Sequence, residues 1–206
     1  MILTDKDIRA LCIGDKKKKK LGGMIAPFTE EALQSESYDL SIGNSIVTLG
    51  KEIRVVDITN QEEINSIYKE VILTKAGYVI FPKEYVLVTL KERIELPDNI
   101  TAHIRPRTRF TRLGLLVSDQ HCNSTYSGKL QIGLFNATEC AIKIYPGTRI
   151  AQIVFEELKS KPSEEKLYKN KPDAIYQNEE KFIGGAATDE FNKTVNDALS
   201  FLLKKD

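Results

Sequence analysis

Net charge, cysteine and long apolar runs are all scarce in this sequence. The 206 residues include 30 Lys and Arg against 29 Asp and Glu, so the formal net charge is only +1. Proteins that hold long nucleic acid carry basic stripes that neutralise many phosphates, and a nearly neutral chain argues against such a partner. The three cysteines, Cys12, Cys122 and Cys140, are odd in number and far apart, which favours reduced thiols over a disulfide framework.

Membrane and export signals are also missing. No stretch of roughly 18 or more apolar residues occurs. The opening letters MILTDKDIRA contain acidic residues where a signal peptide would have a basic and then an apolar region. We therefore expect a cytoplasmic protein with no membrane partner.

Several catalytic motifs are absent as well. Zinc deaminases need a His or Cys near a Glu, followed by a Cys-x-x-Cys pair, and nothing in the chain matches that pattern. His121 and Cys122 are adjacent, but neighbours on an extended chain point to opposite faces, and no second pair completes a site. There is no P-loop and no G-x-S-x-G elbow. No zinc and no metal held by protein ligands is expected.

Short β-branched and aromatic runs, separated by turn signals, fill the middle of the chain from Ser45 to Leu158. Their spacing is typical of an all-β barrel or sandwich. The predicted strands cover residues 45–49, 52–58, 70–74, 78–81, 85–90, 100–106, 129–136, 141–145 and 149–158.

Helical patterns flank this region. Thr4 and Asp7 form a capping box that predicts a short N-terminal helix. The apolar stripe of this helix consists of Ile8, Leu11 and Cys12. Near the C-terminus, apolar residues at helical spacing predict an amphipathic helix. They are Phe191, Val195, Ala198, Leu199 and Leu202. Five consecutive lysines at 16–20 are interpreted as a solvated loop.

The segment RPRTRFTRLG places four arginines, Arg105, Arg107, Arg109 and Arg112, within eight positions. A nucleic-acid backbone, a small phosphate ester and a solvated strand face would each suit part of this pattern. The neutral chain disfavours the first. Taken alone, the segment leaves the other two open, because alternation on a strand would put Arg105, Arg107 and Arg109 on one wet face.

Five segments in order carry a resemblance to a known family: SESYDLSIG, RPRTRFTRLG, NSTYSGKLQIGLFN, PGTRIAQIVF and YKNKPDAIYQNEEKFIGG. Together they resemble the dCTP deaminase and dUTPase superfamily, nearer the deaminase branch. The resemblance implies a mainly β, distorted jelly-roll β-barrel that works as a homotrimer on dCTP or dUTP. It covers residues 1–186, which we expect to form one domain, and leaves 187–206 as a helical extension.

The resemblance implies a nucleotide site. Arg107 and Arg112 match the residues that grip the triphosphate, and Thr108 offers a hydroxyl and a backbone N–H. Asp39 matches a carboxylate that orients the gripping arginine, and Tyr126 an aromatic that packs on the deoxyribose. The plainer alternatives are a turn former for Asp39 and barrel packing for Tyr126.

Further positions follow the same comparison. Gln152 resembles a phosphate-contacting glutamine, against the alternative of polar alternation in a strand. Tyr168 matches the start of the C-terminal pattern. Arg109 stands where the family has a small residue close to the phosphates, and it either adds charge or blocks the site.

The catalytic positions depart from the family. Gly133 stands where the deaminases have a glutamate on the strand KLQIGLFN. Gln131 shares its face, but an amide is not a base. Asn123 stands where dUTP hydrolysis uses an aspartate while Mg²⁺ spans the phosphates. Asp119, four residues earlier, is a substitute only if its loop turns inward.

The C-terminal segment departs too. Ile175 replaces an expected lysine and Glu179 an expected glutamine, while Lys169, Lys171 and Lys181 lie near enough in sequence to compensate in charge.

Three hypotheses follow. The first is an enzyme acting on dCTP or dUTP with relocated catalytic groups, the second a catalytically silent nucleotide-binding regulator, and the third an interaction protein that has abandoned the pocket. Retained binding segments favour the first two, whereas Arg109 and Ile175 favour the third.

Overall fold

The structure is a computed structural model that describes residues 1–13, 23–50 and 55–187, together with residues 193, 196, 197, 199 and 200. Residues 193, 196, 197, 199 and 200 are helical. The rest of the predicted C-terminal helix and the lysine run at 16–20 lie outside the described residues, and the division at residue 186 stays a prediction.

Within the described residues the chain is mainly β, as predicted. The helices are α1 (Asp5–Ile13), α2 (Gln61–Ser66) and α3 (Thr108–Arg112). The strands are β1 (Ile25–Ala26), β2 (Tyr38–Leu49), β3 (Tyr68–Ile72), β4 (Tyr78–Ile80), β5 (Tyr85–Glu95), β6 (Ile100–Pro106), β7 (Leu115–Val117), β8 (Gln120–Cys122), β9 (Ser127–Asn136), β10 (Ile142–Ile144) and β11 (Arg149–Glu157).

One antiparallel sheet contains most strands, in the order β7-β9-β5-β2-β11-β6-β8, with β1 added to β5 and β3 to β2. β4 and β10 form a separate pair. Register shifts interrupt the pairing of β2 with β5, of β5 with β9 and of β11 with β2. Such bulges bend and twist strands, which lets this sheet curl around its core.

The core forms on one face of the long strands because their apolar residues alternate with polar ones. Fully buried side chains come from β2, β5, β9 and β11. They include Leu40, Ile42, Ile46, Val88, Leu90, Ile132, Leu134, Ile153 and Phe155.

The N-terminal helix begins as its capping box predicts. The backbone N–H of Thr4 donates to Asp7 Oδ2 at 3.0 Å, and the Thr4 hydroxyl donates to the same oxygen at 2.7 Å. Ile8 and Cys12 are buried, but Leu11 is 39% exposed and is not part of the buried stripe. All three cysteines are free thiols.

Other details of the strand prediction are wrong. Val55 to Ile58 form no strand, and the side chains of Val55 and Ile58 are exposed. Residues 51–54 of the same predicted strand lie outside the described residues. α2 was missed, although Asn60 caps it by accepting from the N–H groups of Glu62 and Glu63. In the part of the chain that the structure describes, no helix has the length and apolar character needed to cross a membrane.

Candidate functional site

Three adjacent strands gather the predicted phosphate-binding residues. β11 lies between β2 and β6. Its register sets Gln152 opposite Asp39 on one side and opposite Arg105 on the other. Gln152 Nε2 donates a hydrogen bond of 3.4 Å to Ser37 Oγ. The sheet therefore places residues from three distant parts of the sequence side by side.

At this point the half-buried Arg107 forms an ion pair with the buried Asp39. Arg107 Nη1 lies 3.0 Å from Asp39 Oδ2, and the two side chains are 18% and 1% exposed. Gln34 Nε2 donates to the same oxygen at 3.4 Å, and Arg149 Nη1 lies 4.0 Å from it. A carboxylate held in this way fixes the direction of the Arg107 guanidinium, which is the contact that the resemblance implies for these two residues.

Helix α3 follows directly and carries the other predicted phosphate ligands. β6 ends at Pro106, and Arg107 has extended geometry before the helix begins at Thr108. The single wet strand face that would unite Arg105, Arg107 and Arg109 is therefore wrong, because Arg109 lies on a helix. Thr108, Arg109 and Arg112 are exposed. The first amides of a helix lack intrahelical partners, so this turn offers N–H groups beside guanidinium groups. We call Asp39, Arg107, Thr108, Arg112 and Gln152 the phosphate grip.

A cavity of about 550 Å³ lies elsewhere on the same chain. Four predicted site residues line it: Asn123, Tyr126, Gln131 and Tyr168. The Tyr126 and Tyr168 rings are 5.9 Å apart. Much of the remaining wall is aliphatic or aromatic, which is the usual character of a small-molecule site of this size.

Buried polar atoms without a hydrogen-bond partner occur both in the phosphate grip and in the cavity wall. Among the described residues, three buried side-chain polar atoms have no hydrogen-bond partner: Asp39 Oδ1, Tyr126 Oη and Gln131 Nε2. The Thr89 hydroxyl donates to Gln131 Oε1 at 2.7 Å and thereby fixes which end of the amide is unpaired. All three atoms belong to residues that the sequence marked as nucleotide-binding.

The C-terminal segment, residues 168–185, covers the cavity. Its backbone is tied to the start of β9, because Asn178 N–H donates to the Ser127 carbonyl at 2.6 Å and Lys129 N–H donates to the Glu179 carbonyl at 2.7 Å. Gly128 permits this approach, since a Cβ there would lie 2.9 Å from Glu179 N. Ile175 and Tyr176 belong to the same segment, and Tyr176 also lines the cavity.

Glu179 is a cavity residue to which the sequence patterns assigned no role. Its side chain is buried and lines the cavity with Tyr126 and Gln131. Burial raises its pKa to about 7, although the hydrogen bond from Ile183 N–H and the nearby Gln131 amide both oppose the shift. The replacement of a family glutamine by glutamate was the only signal in the sequence. Its meaning depended on where the segment folds.

The phosphate grip and the cavity do not meet on one chain. None of the grip residues is among the residues that line the cavity. Among the described residues, no group of three or more His, Cys, Asp or Glu is placed to hold a metal ion. On one copy of the chain the predicted phosphate-binding residues and the cavity therefore lie apart.

Comparison with known proteins decides the family. The family described as dCTP deaminase-like matches residues 2–158 of this chain. The chain belongs to the dCTP deaminase-like family. The family and the jelly-roll fold predicted from the sequence are confirmed.

Individual relatives agree with this assignment. The chain is 34% identical over 159 residues to the "dCTP deaminase, dUMP-forming" of Persephonella marina, a match that covers 77% of this chain and 84% of that protein. It is also 34% identical over 172 residues to the protein of the same name from a Sulfurihydrogenibium species, covering 83% and 91%.

A solved structure supports the fold. The crystal structure of 2'-deoxycytidine 5'-triphosphate deaminase from Agrobacterium tumefaciens aligns with a TM-score of 0.60 at 24% identity. That match covers 76% of this chain and 48% of the other, so this chain spans about half of that protein's length.

This dCTP deaminase-like chain fills the space at Gly133 with a tyrosine. A Cβ built on Gly133 would lie 2.0 Å from Tyr85 Oη and 2.5 Å from Tyr85 Cζ. β5 pairs with β9 and sets the neighbouring Leu87 opposite Gly133. The Tyr85 ring therefore occupies the place where a side chain at position 133 would begin.

We expect Gly133→Ala to lower the free energy of unfolding by about 1–3 kcal/mol, because the added methyl group has to displace the Tyr85 ring. Urea denaturation of the purified protein measures the loss. The same substitution in a Tyr85→Ala background should be nearly neutral. Equal losses in both backgrounds would show that the tyrosine does not fill this space.

The other two predicted catalytic positions, Asn123 and Asp119, lie in different surroundings. Asn123 lines the cavity, whereas the Asp119 carboxylate is exposed and lies 3.6 Å from Arg105 Nη1. The loop does not turn Asp119 into the cavity of its own chain. Asp119 therefore does not supply the carboxylate that Asn123 lacks.

Proposed function

We propose that this chain is an enzyme of pyrimidine deoxynucleotide metabolism that deaminates dCTP, and that a homotrimer completes its sites. One observation carries the proposal: every buried side-chain polar atom without a partner, among the described residues, lies on a predicted nucleotide-binding residue. An unpaired buried polar group costs about 1–3 kcal/mol, so such atoms are expected where a ligand completes their hydrogen bonds. The curated relatives named as dCTP deaminases give the substrate class.

The two parts of the site suit two parts of one substrate. Arg107 and Arg112 offer guanidinium groups, which bind phosphate oxygens through two parallel hydrogen bonds. Tyr126 is an apolar ring in the cavity wall, suited to pack on a deoxyribose. The Gln131 amide offers an N–H donor to a pyrimidine acceptor.

A homotrimer would bring the phosphate grip of one copy next to the cavity of another. Because the phosphate grip does not line the cavity of its own chain, a neighbouring copy has to bring the two together. Leu113 and Leu116, next to the grip, are 60% and 48% exposed. Exposed apolar side chains beside a functional surface are typical of a subunit contact.

Magnesium is proposed to arrive with the substrate. The grip offers arginines and the hydroxyl and backbone N–H of Thr108, donors that fit phosphate oxygens rather than a cation. Mg²⁺ bound to the triphosphate would spread its negative charge. The cytoplasm is the proposed place of action, in keeping with three free cysteines.

The test is to incubate the purified protein with Mg²⁺ and each of dCTP, dUTP, dTTP and dATP, measuring ammonia, dUTP, dUMP and nucleotide affinity. We expect ammonia from dCTP with dUTP as the main product. Hydrolysis to dUMP should be about 10²- to 10⁴-fold slower than with a carboxylate, because Asn123 cannot act as a base. Binding of dCTP without turnover would identify a silent binding protein, and no binding would identify an interaction protein.

A further inference from the structure

The cavity needs a proton-transfer group that β9 does not provide. Water adds to C4 of a cytosine only if a nearby side chain takes and returns protons. Gly133 has no side chain, and the Tyr85 ring fills the space beside it. Gln131, on the same face of β9, carries an amide. The group has to come from another element of the cavity wall.

The titratable side chains that line the cavity, among the described residues, are five tyrosines together with His121, Cys122 and Glu179. Burial raises the pKa of Cys122 to about 12 and also raises that of Tyr126, so both keep their protons at neutral pH. His121 is exposed and its ring contacts the His103 ring in a tilted arrangement, with the centroids 4.9 Å apart. Among the described lining residues, Glu179 is the single carboxylate.

The contacts of Glu179 fix it at the cavity wall. Its carbonyl accepts from Lys129 N–H at 2.7 Å, and its Oε1 accepts from Ile183 N–H at 3.0 Å. The side chain is 4% exposed. It faces Gln131, whose Nε2 has no hydrogen bond of ordinary geometry but whose amide still lowers the Glu179 pKa. The carboxylate thus lies next to the base-facing side of β9.

We propose that Glu179 is the catalytic carboxylate of this chain, acting from the C-terminal segment where other family members use a strand glutamate. The inference rests on the proposed deaminase function. A carboxylate at position 179 would explain why this chain lacks the strand glutamate of its family but still has a pocket lined by unpaired polar atoms. The segment that covers the cavity also supplies its chemistry.

The reaction balances with Glu179 as the proton carrier. Glu179 takes one proton from water while the water oxygen bonds to C4, and the C4–N3 π electrons move to N3. Glu179 then gives that proton to N3. It next carries the hydroxyl proton to the exocyclic amine, the C4–N bond breaks, and ammonia leaves with the electron pair as the C4 carbonyl forms. The net reaction is dCTP and water to dUTP and ammonia.

The surroundings suit this task. A general base works best with a pKa near the working pH, and burial brings Glu179 to about 7. We expect turnover to rise as pH increases through this range, because the ionised form starts the reaction. The titratable or charged side chains on the elements around it include Tyr68, Tyr85, Arg93, His121, Cys122, Tyr126, Lys129, Tyr168, Tyr176, Glu180 and Lys181.

The decisive variant is Glu179→Gln, which keeps an oxygen for Ile183 N–H but cannot carry a proton. The matched control is Glu180→Gln, the next residue, whose carboxylate pairs with Arg93 at the surface. Steady-state ammonia release from dCTP gives kcat and KM at several pH values, and calorimetry gives the affinity for dCTP. Thermal unfolding checks that both variants fold.

We expect kcat to fall about 10²- to 10⁴-fold in Glu179→Gln, with dCTP affinity within a few-fold of the wild type and the rising pH limb lost. Glu180→Gln should retain wild-type turnover. Full turnover in a folded Glu179→Gln, or loss of the pH limb only in His121→Gln, would overturn this inference alone. A wild-type protein that binds dCTP but never releases ammonia would overturn the proposed function as well.

Discussion

Arg107→Ala is expected to lower the free energy of unfolding by about 3 kcal/mol, because it leaves the buried Asp39 carboxylate with only the Gln34 amide and the more distant Arg149 as partners. The Asp39 side chain is only 1% exposed. Affinity for dCTP should fall by about 2 kcal/mol or more, roughly 30-fold, since a guanidinium fork to the phosphates is lost. Urea denaturation and calorimetry measure the two effects.

A second substitution separates stability from binding. Asp39→Asn together with Arg107→Ala removes the stranded charge, so stability should recover in part while affinity for dCTP does not. Arg105→Ala is the surface control, because its pair with Asp119 is exposed and is worth no more than about 1 kcal/mol. A double variant that binds dCTP normally would exclude Arg107 from the phosphate grip.

Mixing two inactive variants should restore activity. Arg112→Ala removes an exposed guanidinium from the grip, and Glu179→Gln removes the proposed base from the cavity. If each site joins the grip of one copy to the cavity of the next, every mixed trimer has both groups intact at about one of its three sites. Co-expression with two affinity tags isolates the mixed oligomers, and ammonia release from dCTP measures the recovery.

The control for mixing is two differently tagged copies of the same variant, which should stay inactive. Mixed oligomers no more active than this control would contradict the shared site. That result would mean that the grip and the cavity of one chain come together through a rearrangement of that chain.

The sequence predicted those parts of the fold that local patterns determine. The capping box at Thr4 and Asp7 predicted α1, and the longer apolar runs predicted strands such as β5 and β11. α2 was missed, although Asn60 and Glu63 have capping-box spacing and Asn60 Nδ2 donates to Glu63 Oε1 at 2.9 Å. That spacing is the sequence signal for this helix.

Long-range pairing explains the other errors. β7 and β8 have three residues each and exist because β9 and β6 pair with them. Alternating residues at 52–58 resemble a strand, but Val55 is 90% exposed and pairs with no strand among the described residues. A local pattern does not reveal whether a partner is available.

The candidate site was predictable in its residues but not in its arrangement. Family motifs named Asp39 and Arg107, and the register of β2, β11 and β6 shows why they meet. The motifs also showed that Gly133 lacks a carboxylate. They did not show that Tyr85 fills that space, or that Glu179, from a distant segment, lies beside Gln131. Both facts depend on tertiary packing.

The most direct measurement is a crystal structure of Glu179→Gln with dCTP and Mg²⁺, because this variant should bind the substrate without consuming it. We expect cytosine in the cavity against Tyr126, with the side chain of residue 179 about 3–3.5 Å from C4 or joined to it by one water. The triphosphate should lie on Arg107 and Arg112 of a neighbouring copy. Cytosine bound more than about 6 Å from residue 179, with another carboxylate beside C4, would contradict this account.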